Sequence, residues 1–382
     1  MPNPVHDLYA EQGQSPWLDY IRRDMLRNGE LKRYVEEDGI RGVTANPTIF
    51  EKAIGAGADY DEQIMQLLRD GVAPADLFEP IAVRDITAAT GILRPVYDAS
   101  GGSDGFVSIE VSPDKAFQTR ETVDEAKRWW SLIDRPNLLV KIPATDEGIP
   151  AIEECLFAGI NINITLIFAV GFYERVMEAY LRALERRVEA GLDIASINSV
   201  ASFFVSRVDS SADARIEAKI AAASSESERE KLRRLLGKVA VANAKVAYRR
   251  FQEVFGSKRF KKLQAKGARV QRPLWASTGT KNAAYSDILY VQELIGPDTV
   301  NTMPPATIDA FRDHGVVRRA IDQDYGDAER VMRELGDAGI SIDEITDELQ
   351  ADGVRLFAAS FDKISETVAA KADEILKKAS AV

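Results

Sequence analysis

Two residue types on which many active sites depend are nearly missing from this sequence of 382 residues. It contains one cysteine, Cys155, and two histidines, His6 and His314. A lone cysteine excludes an intrachain disulfide framework, and packing rather than redox sensing is its expected role. The histidines lie near the start and on a charged helix-like segment, so a His-rich zinc site, a Ser-His-Asp triad and a Cys-His pair are not expected. No His- or Cys-based metal site is expected, and acid-base chemistry falls to carboxylates, lysines and hydroxyls. No apolar run reaches the roughly 20 residues that span a bilayer. The opening MPNPVHDLYAEQGQ lacks the apolar stretch of a secretory signal, which makes the expected location cytoplasmic. Positive charge is the scarcer sign, 49 Lys and Arg against 60 Asp and Glu, for a net charge of −11. Such a field repels polyanions, so nucleic acid and anionic membrane are not expected partners, although a local basic pocket could still hold a phosphorylated ligand. Low-complexity linkers, heptad arrays and internal repeats are absent too.

What is present is a chain rich enough in apolar residues, 45% hydrophobic, to bury a large core. Short β-rich runs alternate with longer amphipathic stretches, the pattern of repeated βα units around a parallel sheet. Eight candidate strands occupy residues 16–21, 41–46, 106–111, 137–143, 162–168, 196–204, 273–278 and 299–304. Helical periodicity fills the intervals, clearly over 122–133 and 171–191, the latter closing on a glycine. Eight such units predict an α/β fold, a (β/α)8 TIM barrel with additional helices. The whole chain, 1–382, reads as a single elaborated domain, with helical additions at about 209–267 and 305–380 expected to pack outside the barrel as solvated helices, a partner-binding role being the alternative.

Polar residues cluster on the apolar strands. Asp19, Thr44, Asn46, Glu110, Lys141, Asn163, Thr165, Ser202 and Ser277 all lie on or just beyond predicted strands, most near carboxyl ends, where active sites of this fold are assembled. Burying each alone is costly, so a set drawn from seven strands points to one shared hydrogen-bonded cavity. The alternative is seven unrelated structural hydrogen bonds. Lys141 sits in NLLVKIPAT (137–145), where strand alternation turns it toward the interior. An amine there suits Schiff-base formation with a carbonyl substrate, and apolar neighbours such as Leu139 and Ile142 are the physical route to a neutral nucleophile. Taken alone it could equally be a lysine whose stem packs at a barrel rim while its head reaches water.

In GVTANPTIF (42–50), VSIEVSPDKAF (107–117), NLLVKIPAT (137–145), NINITLIFAV (161–170), SINSVASFFVSRVD (196–209) and PLWASTGTKN (273–282), the chain resembles the transaldolases, in particular the longer single-chain members. The resemblance covers the strand ends from about residue 15 to residue 311. It implies a cofactor-free aldolase mechanism, with Lys141 as the Schiff-base lysine of the fourth strand and Asp19 as the proton-transfer carboxylate. For Asp19 the alternative is the cap of the following helix. Glu110 and Thr165 match the pair that positions a catalytic water, against a structural ion pair of Glu110 with Lys141. Asn46 and Asn163 match residues that bond donor-sugar hydroxyls or hold the lysine region, and Ser202 matches a substrate-hydroxyl contact; an Asx-turn at Asn46 and a simple backbone bond at Ser202 are the competing readings.

Phosphate recognition is carried over to Arg207, Ser277 and Lys281, with STGTKN (277–282) expected at a strand-to-helix turn rich in free backbone N–H groups. Shorter family members tend to have an arginine where Lys281 stands. A surface salt bridge to Asp209 is the alternative for Arg207. The activity implied is transfer of a dihydroxyacetone unit between phosphorylated sugars, the expected ligands. A fructose 6-phosphate aldolase shares scaffold and lysine, but those relatives typically carry glutamine at the Glu110 position and tyrosine at the Phe204 position. Metal-dependent aldolases would need zinc ligands that two remote histidines do not supply. A noncatalytic sugar-phosphate-binding protein would keep Arg207 and Ser277 without needing Lys141, Glu110 and Thr165 together.

Overall fold

The computed structural model describes residues 3–380. Eight parallel strands close on themselves in sequence order: β1 (Gln14–Leu18), β2 (Gly42–Thr44), β3 (Phe106–Glu110), β4 (Leu138–Pro143), β5 (Ile162–Ile167), β6 (Ser199–Phe204), β7 (Arg272–Ala276) and β8 (Thr299–Met303). Closure is made by β8 lying beside β1 from Gln14 opposite Thr299 to Leu18 opposite Met303. Helices follow the strands, giving a (β/α)8 barrel with extra helices. Strands β3, β4 and β5 are buried at every position because one face fills the barrel and the other meets the helices.

The strand boundaries depart from the sequence reading where local chemistry intervenes. The first strand ends at Leu18, so Asp19 lies just past it, although its backbone N–H still reaches the Met303 carbonyl at 2.8 Å. The sixth begins at Ser199 rather than 196, because Asp193 accepts hydrogen bonds from the Ala195 and Ser196 amides and holds the preceding residues in a turn. Gly42 opens β2 against the Trp17 indole, where an added Cβ would sit 2.4 Å from ring carbons; only glycine permits that approach.

The additions separate into two kinds. Between β6 and β7 run the helices Ser206–Ala222, Glu226–Arg233, Val239–Phe255 and Lys258–Gln264. Val239–Phe255 packs on the barrel helix Val170–Glu189 and on Tyr325–Asp337, outside the barrel as expected. The final helix, Ile342–Ser380, does not stay outside. It rests on the segments that follow β2, β3 and β6 and on β5 itself, and so lies across the carboxyl end of the barrel. Its buried residues Ile345, Val354, Phe357, Ile364, Val368, Ala372 and Ile375 recur at helical spacing on one face. The Gln350 amide donates to the carbonyls of Ala144 and Leu166 just past β4 and near the end of β5, and Thr48 and Ser360 share a hydroxyl hydrogen bond of 2.8 Å. No described helix is long and apolar enough to cross a membrane. Cys155 is fully buried, and burial pushes its thiol up to about 12, as suits a packed side chain.

Candidate active site

Strand register assembles the centre. Glu110 lies opposite Lys141, and Lys141 opposite Asn163, so β3, β4 and β5 present three polar residues at one level of the barrel. Lys141 Nζ is 3.0 Å from Glu110 Oε2, and the two side chains are only 6% and 4% exposed. The amine also donates to the Ala45 carbonyl at 3.2 Å. Burial pushes the Glu110 carboxyl up, overcoming the opposing pull of Lys141. Glu110 Oε2 has the Lys141 amine as its partner, whereas the Thr165 hydroxyl is buried with no hydrogen-bond partner among the described residues. A buried hydroxyl is rarely left this way, and one in a strand-end site suits a small polar guest.

Asp19 enters from the end of β1. It is half-buried by surface yet surrounded closely enough that burial raises its carboxyl, against a hydrogen bond from Thr44 and the charges of Lys141, Lys281 and Arg207. Thr44 Oγ1 donates to Asp19 Oδ1 at 2.6 Å and lies 2.7 Å from Thr302 Oγ1. Since a hydroxyl has one proton, Thr302 must be the donor in the second contact. The next helix, Arg23–Arg27, is preceded by Arg22, which excludes the capping role for Asp19.

A second relay fixes Asn163. Its Nδ2 donates to Ser108 Oγ at 3.0 Å, and Ser202 Oγ donates to its Oδ1 at 2.7 Å. Ser202 is therefore bonded to a side chain rather than to backbone. Asn46 caps the helix Pro47–Gly55, its Oδ1 accepting from the Ile49 amide, so the competing local role claims the oxygen and leaves the Nδ2 hydrogens facing no protein acceptor among the described residues.

Cationic groups gather at the mouth. Arg207 stands in the first turn of Ser206–Ala222, over the Phe204 ring at 5.6 Å, and forms no salt bridge among the described residues; Asp209 instead accepts from the Ala240 amide and the Tyr290 hydroxyl. Ser277 follows β7 in a left-handed backbone conformation, φ 56°, with its hydroxyl 3.0 Å from that of Ser206. Lys281 is exposed. The expected strand-to-helix turn at 277–282 does not form: the segment is irregular as far as the short helix Leu289–Glu293, because Thr278 turns inward to the Asn301 side chain and the Thr302 carbonyl. The helix N-terminus nearest the cationic group is that of Ser206–Ala222.

Sequence reasoning did not bring the C-terminal helix to this site. The Phe357 ring centroid lies 5.9 Å from Lys141 Nζ. The periodic apolar positions 354, 357, 364 and 368 mark a buried face, but nothing in their spacing tells which surface it covers. Among the described residues no group of three or more His, Cys, Asp and Glu is placed to hold a metal. His314 is at the surface between Asp287 and Asp313.

Known proteins resemble this chain over nearly its whole length. The family model described as Transaldolase/Fructose-6-phosphate aldolase matches residues 16–368, reaching well into the C-terminal helix and past residue 311. A transaldolase from Parafrankia sp. (strain EAN1pec) is 47% identical over 96% of this chain and 98% of its own length. Transaldolase 2 of Nostoc sp. (strain PCC 7120) is 46% identical over 94% and 96%, and the transaldolase of Mycobacterium marinum 45% identical over 98% and 99%. With the match running from the first strand into the last helix, the chain belongs to the transaldolase/fructose-6-phosphate aldolase family of enzymes.

Proposed function

We propose that this enzyme transfers a dihydroxyacetone unit from a ketose phosphate, sedoheptulose 7-phosphate or fructose 6-phosphate, to an aldose phosphate, glyceraldehyde 3-phosphate or erythrose 4-phosphate. The observation that carries the reading is the buried amine of Lys141, 3.0 Å from a carboxyl that burial has made a better proton acceptor. Two opposite charges in a dry site can be relieved by moving one proton from amine to carboxylate, which leaves the amine neutral and nucleophilic.

Lys141 attacks the C2 ketone to form a carbinolamine. Loss of water from that intermediate needs a proton at the C2 oxygen, which Glu110 supplies through a water held by the Thr165 hydroxyl. Asp19, ionised, takes the C4 hydroxyl proton as the C3–C4 bond breaks, and the electron pair passes into the iminium to give an enamine on Lys141. The aldose phosphate leaves. An incoming aldehyde accepts the enamine carbon, Asp19 returns the proton to the new hydroxyl, and hydrolysis frees the product and the amine. Asn46, Asn163 and Ser202 line the sugar hydroxyls, while Arg207, Ser277 and Lys281 hold the phosphate, with Arg207 offering a forked donor not engaged by any carboxylate among the described residues.

Release of free dihydroxyacetone, the fructose 6-phosphate aldolase activity, is the second reading. The residues Glu110 and Phe204 stand against it, being glutamine and tyrosine in the aldolases that the sequence resembles. The test is borohydride reduction with fructose 6-phosphate and no added metal, followed by peptide mass mapping. A dihydroxyacetone-sized adduct on Lys141 is expected; substrate that binds without leaving any adduct overturns the mechanism. An acceptor assay with erythrose 4-phosphate then separates transfer from release.

A further inference from the structure

The C-terminal helix does more than pack. Along Ile342–Ser380, Gln350 holds two carbonyls past β4 and near the end of β5, and Gly353 meets the Leu166 side chain so closely that a Cβ would come within 2.8 Å of it. Further along, Ser360 bonds Thr48 at the start of the helix after β2, and Lys371 pairs with Asp61. These ties fix the helix at both ends of its crossing. Between them, one turn past Gly353, Phe357 is buried and turned to the Lys141 amine at 5.9 Å. Phe204, from the end of β6, packs against Phe168 with ring centroids 5.1 Å apart. The polar partners of Lys141 among the described residues, the Ala45 carbonyl just past β2 and Glu110 at the end of β3, do not come from this helix.

We propose that Phe357 is a specificity-determining residue: as an apolar wall beside the Lys141 nitrogen it keeps bulk water from the enamine and so sets the balance between transfer to an aldehyde and release of dihydroxyacetone. The inference rests on the Schiff-base reading above. The enamine has two fates. Addition to an aldehyde forms a carbon–carbon bond and passes the nitrogen lone pair through the iminium state. Protonation of the same carbon by water gives the dihydroxyacetone iminium instead, whose hydrolysis consumes one water, returns the amine and frees the ketone. The second path needs a proton source beside the nucleophilic carbon, and a phenyl ring is none. The ring also presents an aromatic face to a nitrogen that is cationic in both iminium states, an attraction that water would weaken.

The experiment compares the full-length wild type with Phe357→Leu, Phe357→Ala and, on the exposed side of the same helix, Leu356→Ala. For each, fructose 6-phosphate is supplied with and without erythrose 4-phosphate, and free dihydroxyacetone and transfer product are both measured. Borohydride trapping on Lys141 is run alongside. The expected result is an adduct in every variant, with the release-to-transfer ratio rising about tenfold or more in Phe357→Ala, less in Phe357→Leu, and unchanged in Leu356→Ala. A ratio in Phe357→Ala equal to wild type, with the adduct present, overturns the inference and leaves the mechanism standing. So does an equal rise in Leu356→Ala, which would assign the effect to loosening of the helix, and so does a Phe357→Leu variant that fails to fall between wild type and alanine. Absence of an adduct in the wild type removes the Schiff-base reading, and this inference with it. If Phe357→Ala does not fold, the leucine variant decides, an unchanged ratio counting against the wall.

Discussion

The two ends of the barrel use the same chemistry to opposite effect. At the amino end Asp104 is 2% exposed and fully engaged: Ser15 Oγ donates at 2.6 Å, Arg41 Nε at 2.8 Å and Trp17 Nε1 at 3.1 Å, with Arg272 paired at 3.4 Å. Burial alone would raise that carboxyl, but Arg272 and Arg41, with the serine bond, outweigh it and hold Asp104 below the usual carboxylate range. At the carboxyl end Glu110 is buried and Asp19 half-buried beside cations, yet both are pushed up, because loss of solvent there outweighs a single amine for Glu110, and the Thr44 bond and more distant charges for Asp19. The difference is the number of donors. A carboxylate with five donors, the Gly105 amide among them, is held in one protonation state and serves stability; one left short of donors can trade a proton and serves reaction.

The sharpest way to break the comparison is Lys141→Ala. Transfer is expected to fall by at least about 10⁴-fold while circular dichroism and unfolding stay near wild type, since Glu110 can take up a proton when its partner is gone. Turnover close to wild type would end the proposal. Asp19→Asn comes next, with a loss of about 10²–10⁴-fold in the cleavage step. The raised Asp19 carboxyl must be ionised to accept the C4 hydroxyl proton, so kcat/KM in the wild type should climb with pH through a limb above the ordinary aspartate value of 3.8, and that limb should vanish in Asp19→Asn. An unchanged acid limb would assign it to another group.

Asp104→Ala should do the reverse, costing about 3 kcal/mol of stability in denaturant unfolding while the folded variant still forms the Lys141 adduct. Because the folded carboxyl of Asp104 lies below its unfolded value, its contribution is present above that unfolded value, about 3.9, and lost as pH falls through the folded one. The stability difference between wild type and Asp104→Ala should therefore shrink on acidification below about pH 4; a difference that stays constant would show that the carboxylate charge is not what stabilises the amino end. Smallest in effect is Arg207→Ala, expected to raise KM for fructose 6-phosphate roughly 10-fold with little change toward unphosphorylated dihydroxyacetone. Equal losses with both would move the phosphate contact away from Arg207.

Much of the barrel and of the candidate site is legible in the amino-acid sequence, for a reason visible in particular residues. Lys141, Glu110, Asn163 and Thr165 stand out because each is a polar residue inside a strand that is otherwise apolar, and a strand buried on both faces tolerates such residues only where they meet one another. The eight strands are readable from the same contrast. Asn46 is harder, since one side chain both caps a helix and faces the site, and sequence does not apportion the oxygen and the two hydrogens of an amide. The segment after Ser277 departs from its expected turn because Thr278 satisfies itself inward, a partner choice made by β8 rather than by the local sequence.

Sequence by itself determined the barrel, its strand order and the set of polar residues at the strand ends, because alternation of apolar and polar residues and the cost of burying unpaired polar groups are local properties of the chain. Tertiary structure alone decided that the last helix, whose apolar face is periodic but mute about its destination, crosses the carboxyl end and sets Phe357 beside Lys141. An amphipathic face records that it must be covered; what covers it depends on contacts more than 200 residues distant in the chain, such as Gln350 with Ala144, which only closure of the fold brings together.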